Sequence, residues 1–111
     1  MTTQQTTIDF ILEQLSELPN VRARKMFGDY ALYCDEKVVG LVCEDELFIK
    51  ITEEGRSFNA EDYEEGLPYK GAKPYMHISE KLDDRDWLTQ LVSLTARVLP
   101  MPKPKKAKVK K

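Results

Sequence analysis

Residues 21–52 read VRARKMFGDYALYCDEKVVGLVCEDELFIKIT. Apolar and polar side chains alternate through this stretch, which is the period-two signature of half-buried strands. Gly28-Asp29, Asp35-Glu36-Lys37 and Glu44-Asp45-Glu46 interrupt it. The pattern predicts strands near residues 21–27, 30–34, 38–43 and 47–52. Connections this short join neighbouring antiparallel strands, so the four are expected to form a meander. Carried across turns of those lengths, the alternation puts Met26, Ala31, Tyr33, Val39, Leu41, Cys43, Leu47, Ile49 and Ile51 on one face, with Arg22 and Arg24 at its edge. That is the expected core face. The other face then carries Phe27, Tyr30, Leu32, Val38, Val42 and Phe48, interleaved with Lys25 and Lys50. A one-residue change in any turn reverses the faces downstream of it.

The flanks change period. Ile8, Ile11, Leu12, Leu15 and Leu18 fall on the stripe of an amphipathic helix that Pro19-Asn20 ends, with Thr6 and Asp9 spaced as a capping box. Downstream, residues 53–59 are expected to form a short helix and residues 75–79 a fifth strand; the turn-rich stretch 60–73 has no periodicity. Asp83-Asp84 then opens a second helix whose stripe is Trp87, Leu88, Leu91, Val92, Leu94, Thr95, Val98 and Leu99. Its acids stand at the start and Arg97 near the end, as the helix dipole favours. The fold class implied is α+β: a single antiparallel sheet, a four-strand meander plus a fifth strand, packed against amino- and carboxy-terminal helices.

A chain of 111 residues accommodates one domain. Its formal charge of −2, from 17 basic and 19 acidic side chains, conceals an asymmetry. Six of the lysines, Lys103, Lys105, Lys106, Lys108, Lys110 and Lys111, lie in the last 11 residues, leaving 11 basic against 19 acidic side chains before them, a net of −8. The division expected is an α+β domain over residues 1–99 and a disordered Pro/Lys-rich basic tail over residues 100–111. No apolar run approaches the roughly 20 residues that span a bilayer. No charged-then-apolar leader opens the chain. A cytoplasmic protein without a membrane segment is expected.

The inventory for chemistry is thin. Cys34 and Cys43 would stand roughly 16 Å apart at ~3.3 Å per residue, whereas a disulfide needs Cα atoms within about 7 Å. Two independent reduced thiols are expected. With His77 the sole histidine, a four-ligand structural metal site is not supported. The five glycines compose neither a Walker loop nor a dinucleotide fingerprint. Asp83, Asp84 and Asp86 are accounted for by helix capping, and Glu61, Asp62, Glu64 and Glu65 by a solvated loop. The expectation is a protein that is not an enzyme and has no cofactor, metal or small-molecule substrate.

Interaction is the function left. An apolar second face with few helices to cover it points to a protein partner or a homodimer, with Lys25, Phe27, Tyr30, Phe48 and Lys50 as the candidate surface. The alternative is a nucleic-acid-binding accessory protein that uses the six tail lysines on DNA or RNA. The tail would reach on the order of 36 Å and give a salt slope of about −5 on duplex DNA.

Several segments in order carry a family resemblance: Arg24-Lys25-Met26-Phe27-Gly28, Tyr30-Ala31-Leu32-Tyr33, Val39-Gly40-Leu41-Val42 and Asp45-Glu46-Leu47-Phe48-Ile49-Lys50. Gly55-Arg56-Ser57-Phe58, Pro68-Tyr69, Gly71-Ala72-Lys73-Pro74-Tyr75-Met76 and Trp87-Leu88 continue the series. Together they resemble the amino-terminal domain of the TfoX/Sxy family, over nearly residues 8 to 99. The resemblance implies an α+β domain with an antiparallel sheet and, since the founding members are bacterial regulators of competence genes, a regulatory role. It carries over no catalytic residue. Those regulators continue into a second, helical domain, whereas this sequence runs into Pro100-Met101-Pro102-Lys103-Pro104, as short stand-alone members do.

Overall fold

The computed structural model describes residues 3–26 and 28–100. Its elements are α1 (Gln5–Gln14), β1 (Val21–Met26), β2 (Asp29–Cys34), β3 (Lys37–Cys43), β4 (Glu46–Ile49), α2 (Glu53–Phe58), β5 (Glu65–Gly66), β6 (Tyr75–Ile78) and α3 (Arg85–Val98). A single 3₁₀ turn, Ala60–Asp62, follows α2. The strands form one antiparallel sheet in the order β1-β2-β3-β4-β6-β5. The α+β class and the meander are as the alternation predicts, with six strands instead of five. The extra one, β5, has two residues, too few to carry a period, and is defined by pairing with Tyr75 and Met76.

The face assignment needs correction. Asp35-Glu36 and Glu44-Asp45 are two-residue turns in which all four residues hold positive φ, between 52° and 69°. That is the type I′ geometry whose twist matches the strands it joins. Cys43 therefore pairs with Glu46, and Val42 with Leu47. A bulge between Leu32 and Tyr33 shifts the register against β3, so that Leu32 faces Gly40 while Tyr33 faces Val38. The residue passed over, Val39, turns into the core and is fully buried. Leu32 and Val42 consequently belong to the core face, with Tyr30 packed at its margin, while Ala31, Leu41 and Cys43 belong to the other.

On the core face Leu32, Val39, Val42, Leu47, Ile49, Met76 and Ile78 meet Ile8, Ile11 and Leu15 from the first helix and Leu88, Leu91, Val92 and Ala96 from α3. Gly40 lets β3 and β4 approach, because a Cβ there would overlap the carbonyl oxygen of Phe48. On the opposite face Ala31, Leu41, Cys43 and Phe48 are each at most 5% exposed, with Tyr33 and Tyr75 packed beside them. This burial is achieved within one chain.

Helix ends are satisfied from a distance. The expected Thr6/Asp9 box does not form: the N-cap is Gln4, without a side-chain cap of its own. Its backbone N–H donates instead to Asp45 Oδ1 at 2.8 Å, as does the Thr7 hydroxyl at 2.8 Å. At the other end of α1, the Arg85 guanidinium donates to the Glu13 carbonyl at 2.8 Å and the Thr89 hydroxyl to that of Gln14 at 3.2 Å. Helix α3 is capped as expected, with Asp84 Oδ1 accepting from the Trp87 N–H at 3.2 Å. Lys37 Nζ donates to the Ala96 carbonyl in its last turn at 2.6 Å. The Asp45 and Lys37 contacts tie the two helices to the sheet, and those of Arg85 and Thr89 tie the helices to each other while meeting groups that a helix end leaves without intrahelical partners.

Candidate functional site

The residues expected to form one surface are divided by the corrected register. Lys25 and Tyr30 are cross-strand partners on β1 and β2. Tyr30 packs at the core margin and donates its hydroxyl to Gln5 Oε1 at 3.2 Å. Phe48 lies on the opposite face, 5% exposed, its ring centroid 5.1 Å from that of His77. Lys50, just beyond β4, is half-buried, and its N–H donates to the Val39 carbonyl at 2.8 Å. Phe27 lies outside the described residues. So do Lys103, Lys105, Lys106, Lys108, Lys110 and Lys111 of the basic segment.

The structure instead gathers side chains around His77. Its Nε2 stands 3.0 Å from Glu46 Oε1 and its Nδ1 3.5 Å from Glu64 Oε1. Pairing of β4 with β6 brings Phe48 opposite His77, and the His77 N–H donates to the Glu64 carbonyl at 2.9 Å. The ring borders a cleft of about 270 Å³ that also presents Glu61, Asp62, Glu64, Glu80, Lys81 and Trp87. Four carboxylates against one ammonium favour cationic groups over anions. Catalysis is another matter. Both ring nitrogens already face carboxylates, and among the described residues no hydroxyl or thiol is hydrogen-bonded to the imidazole, so a nucleophile–base pair is missing. Nor do the described residues hold a group of three or more His, Cys, Asp or Glu arranged for a metal ion.

The cysteines are free and buried on opposite faces of the sheet, Cys34 in the main core and Cys43 against Leu41 and Phe48. Burial raises both thiol pKa values. For Cys43, with the Asp29 and Glu44 carboxylates adding to the effect, the value reaches about 11. A nucleophilic cysteine needs the reverse, a lowered pKa and access.

The two most exposed large apolar side chains among the described residues lie in one loop, ahead of Phe10, Met26 and Val98. Residues 67–74, between β5 and β6, present Leu67 at 57% and Tyr69 at 58% exposure, above any other large apolar side chain described. Exposed Lys70 and Lys73 flank them, and Gly71 turns the chain with φ +88°. Behind the loop Tyr75 packs on the second cluster, where burial and the neighbouring Tyr69 and Cys43 hold its hydroxyl above the usual phenol pKa. The sequence signal for this loop is an apolar and aromatic pair in a segment too irregular to bury it. The His77 cleft has no such signal, because its groups come from three separate elements.

The profile of the TfoX N-terminal domain family matches residues 13–99. The chain belongs to the TfoX N-terminal domain family. It is also 42% identical over 110 residues to the uncharacterized 12.7 kDa protein in the trpE 5′ region of Spirochaeta aurantia, covering 99% of this chain and 95% of that one. As a TfoX N-terminal domain it has the antiparallel α+β architecture described above. Among the described residues no helix is long and apolar enough to cross a membrane.

Proposed function

We propose that this TfoX N-terminal domain is a non-enzymatic regulatory module that works through protein contacts, and that its contact surface is the loop 67–74. The observation that carries the reading is that Leu67 and Tyr69, two positions apart in one loop, are more than half exposed, whereas Phe10, Met26 and Val98 are exposed less and singly. Tyrosine is among the residues enriched at the energetic centres of protein interfaces, and adjoining exposed apolar side chains mark such surfaces better than single ones do. The regulatory part rests on the family, and the burial and raised pKa of both described thiols support a role in binding over nucleophilic catalysis. The surface differs from the one expected on Phe27, Tyr30 and Phe48, since Phe48 is enclosed and Tyr30 is engaged within the chain.

The test is site-specific photo-crosslinking in the native cell, with the photoreactive side chain at Tyr69 and, as control, at exposed Glu17. A protein adduct formed at position 69, absent at 17 and insensitive to nuclease, is the expected result. Adducts that vanish with nuclease, or that form equally at both positions, contradict it.

A second reading rests on charge. The six lysines in residues 101–111, on an otherwise acidic chain, support a nucleic-acid-binding accessory role. Full-length and tail-deleted chains are compared for DNA and RNA binding over a salt series. Equal binding by the two ends this reading.

A further inference from the structure

Strand β1 forms one margin of the sheet and pairs only with β2. Its outer edge can be assigned group by group. The Asp35 N–H donates to the Asn20 carbonyl, so residues 20 and 35 form a hydrogen-bonded pair at the end of the ladder. Such pairs alternate along an antiparallel ladder. Arg22, Arg24 and Met26 therefore bond to β2, while Val21, Ala23 and Lys25 direct their N–H and C=O groups away from it. Among the described residues no donor or acceptor meets those outward groups. The strand thus presents an open hydrogen-bonding edge six residues long.

The two sides of that edge differ. Arg22 and Arg24 stand on the second face; Arg22 holds a loose, solvent-exposed pair with Glu36 at 3.5 Å, and Arg24 makes no ion pair among the described residues. Val21 and Ala23 stand on the core face, half-buried at the margin of the main core. A second copy of β1 laid antiparallel on this edge would set arginines against arginines, and like charges directly opposite destabilise a strand pair. A strand whose side chains alternate between carboxylate and aliphatic would neutralise Arg24 and share Arg22 with Glu36 on one side, and extend the core past Val21 and Ala23 on the other.

We infer that β1 is a docking edge for an extended peptide segment that alternates acidic and aliphatic side chains, added to the sheet as a seventh strand. Main-chain bonds to Val21, Ala23 and Lys25 hold the segment, and the arginine spacing selects it. The site is separate from the loop 67–74, which lies at the other margin of the sheet, so either can fail without the other.

The experiment titrates the full chain with a blocked octapeptide of alternating valine and glutamate and follows amide hydrogen exchange by NMR. Exchange is expected to slow at Val21, Ala23 and Lys25, and to change little at Arg22 and Arg24, whose amides already bond to β2. The fully N-methylated peptide and the valine–lysine analogue are expected to give no protection. Charge reversal in Arg22→Glu/Arg24→Glu, at exposed positions, is expected to weaken the glutamate peptide by about tenfold or more and to transfer binding to the lysine analogue. The inference is overturned by protection that is absent or lies elsewhere. It is equally overturned by a preference that survives the charge reversal, or by protection at β1 that rises with protein concentration without peptide, which would mark a second copy as the occupant.

Discussion

The Asp45 carboxylate accepts the backbone N–H of Gln4 at 2.8 Å, joining residues 41 positions apart. The turn between β3 and β4 thereby caps the first helix, and Thr7 adds a second bond to the same oxygen. Beside it the Thr3 hydroxyl lies 2.8 Å from Asp29 Oδ1 and accepts the Asp45 N–H at 3.3 Å, so the β3–β4 turn, β2 and the helix start are tied together.

The bonds from Gln4 and Thr7 hold the Asp45 carboxyl below its ordinary pKa of 3.8. A carboxyl depressed in the folded state stabilises the fold above the unfolded-state pKa, and that contribution is lost as pH falls through the folded value. Asp45→Asn retains an acceptor and tolerates the positive φ, but does not titrate. Its thermal midpoint is expected to fall below that of the parent at neutral pH, with the difference shrinking as pH drops below about 4. Thermal melts across the acid range check this; a constant offset contradicts it.

The two type I′ turns are built without glycine. A non-glycine residue in the left-handed region costs roughly 1 kcal/mol, and the Arg22–Glu36 pair at 3.5 Å, with both side chains about half or more exposed, offsets little of that. Asp35→Asn/Glu36→Gly keeps an acceptor for the Asn20 amide, which now donates to Asp35 at 3.0 Å. The double variant is expected to gain about 1 kcal/mol in urea unfolding. A loss would show that the native side chains contribute more than the turn geometry costs.

These turns also mark where the sequence stopped being legible. The alternation of residues 21–52 located the strands to within a few residues, and Asp84 located the start of α3. Faces were another matter. Acidic pairs such as Glu44-Asp45 give no sign that both residues will adopt positive φ, so alternation alone makes the turn one residue too long and puts Val42 on the wrong side. The bulge at Leu32/Tyr33 carries no glycine or proline to announce it. Of the candidate surface, Phe48 was legible as a second-face residue, but its enclosure beside His77 depends on pairing between β4 and a strand 29 residues downstream, which periodicity does not encode.

Both thiols are buried with raised pKa values, Cys43 to about 11. Native protein at pH 8 is therefore expected to react with a thiol reagent only as fast as it opens, and urea-unfolded protein within the mixing time. Fast labelling of either cysteine in the native state contradicts the placement.

Phe48 and Tyr69 separate stability from contact. Phe48→Ala, in the enclosed second cluster, is expected to cost about 3 kcal/mol in unfolding free energy. Tyr69→Ser, at a position 58% exposed, is expected to stay within about 0.5 kcal/mol of the parent. Equilibrium unfolding of both variants checks the ranking; a large loss from Tyr69→Ser would place its ring in the core.

Crosslinking from position 69 in the native cell decides whether the loop carrying Leu67 and Tyr69 meets a protein. A discrete, nuclease-resistant protein adduct at 69, lost when Leu67→Ser is added, is the expected result. An adduct that is nucleic acid, or one that also forms at Glu17, would contradict it.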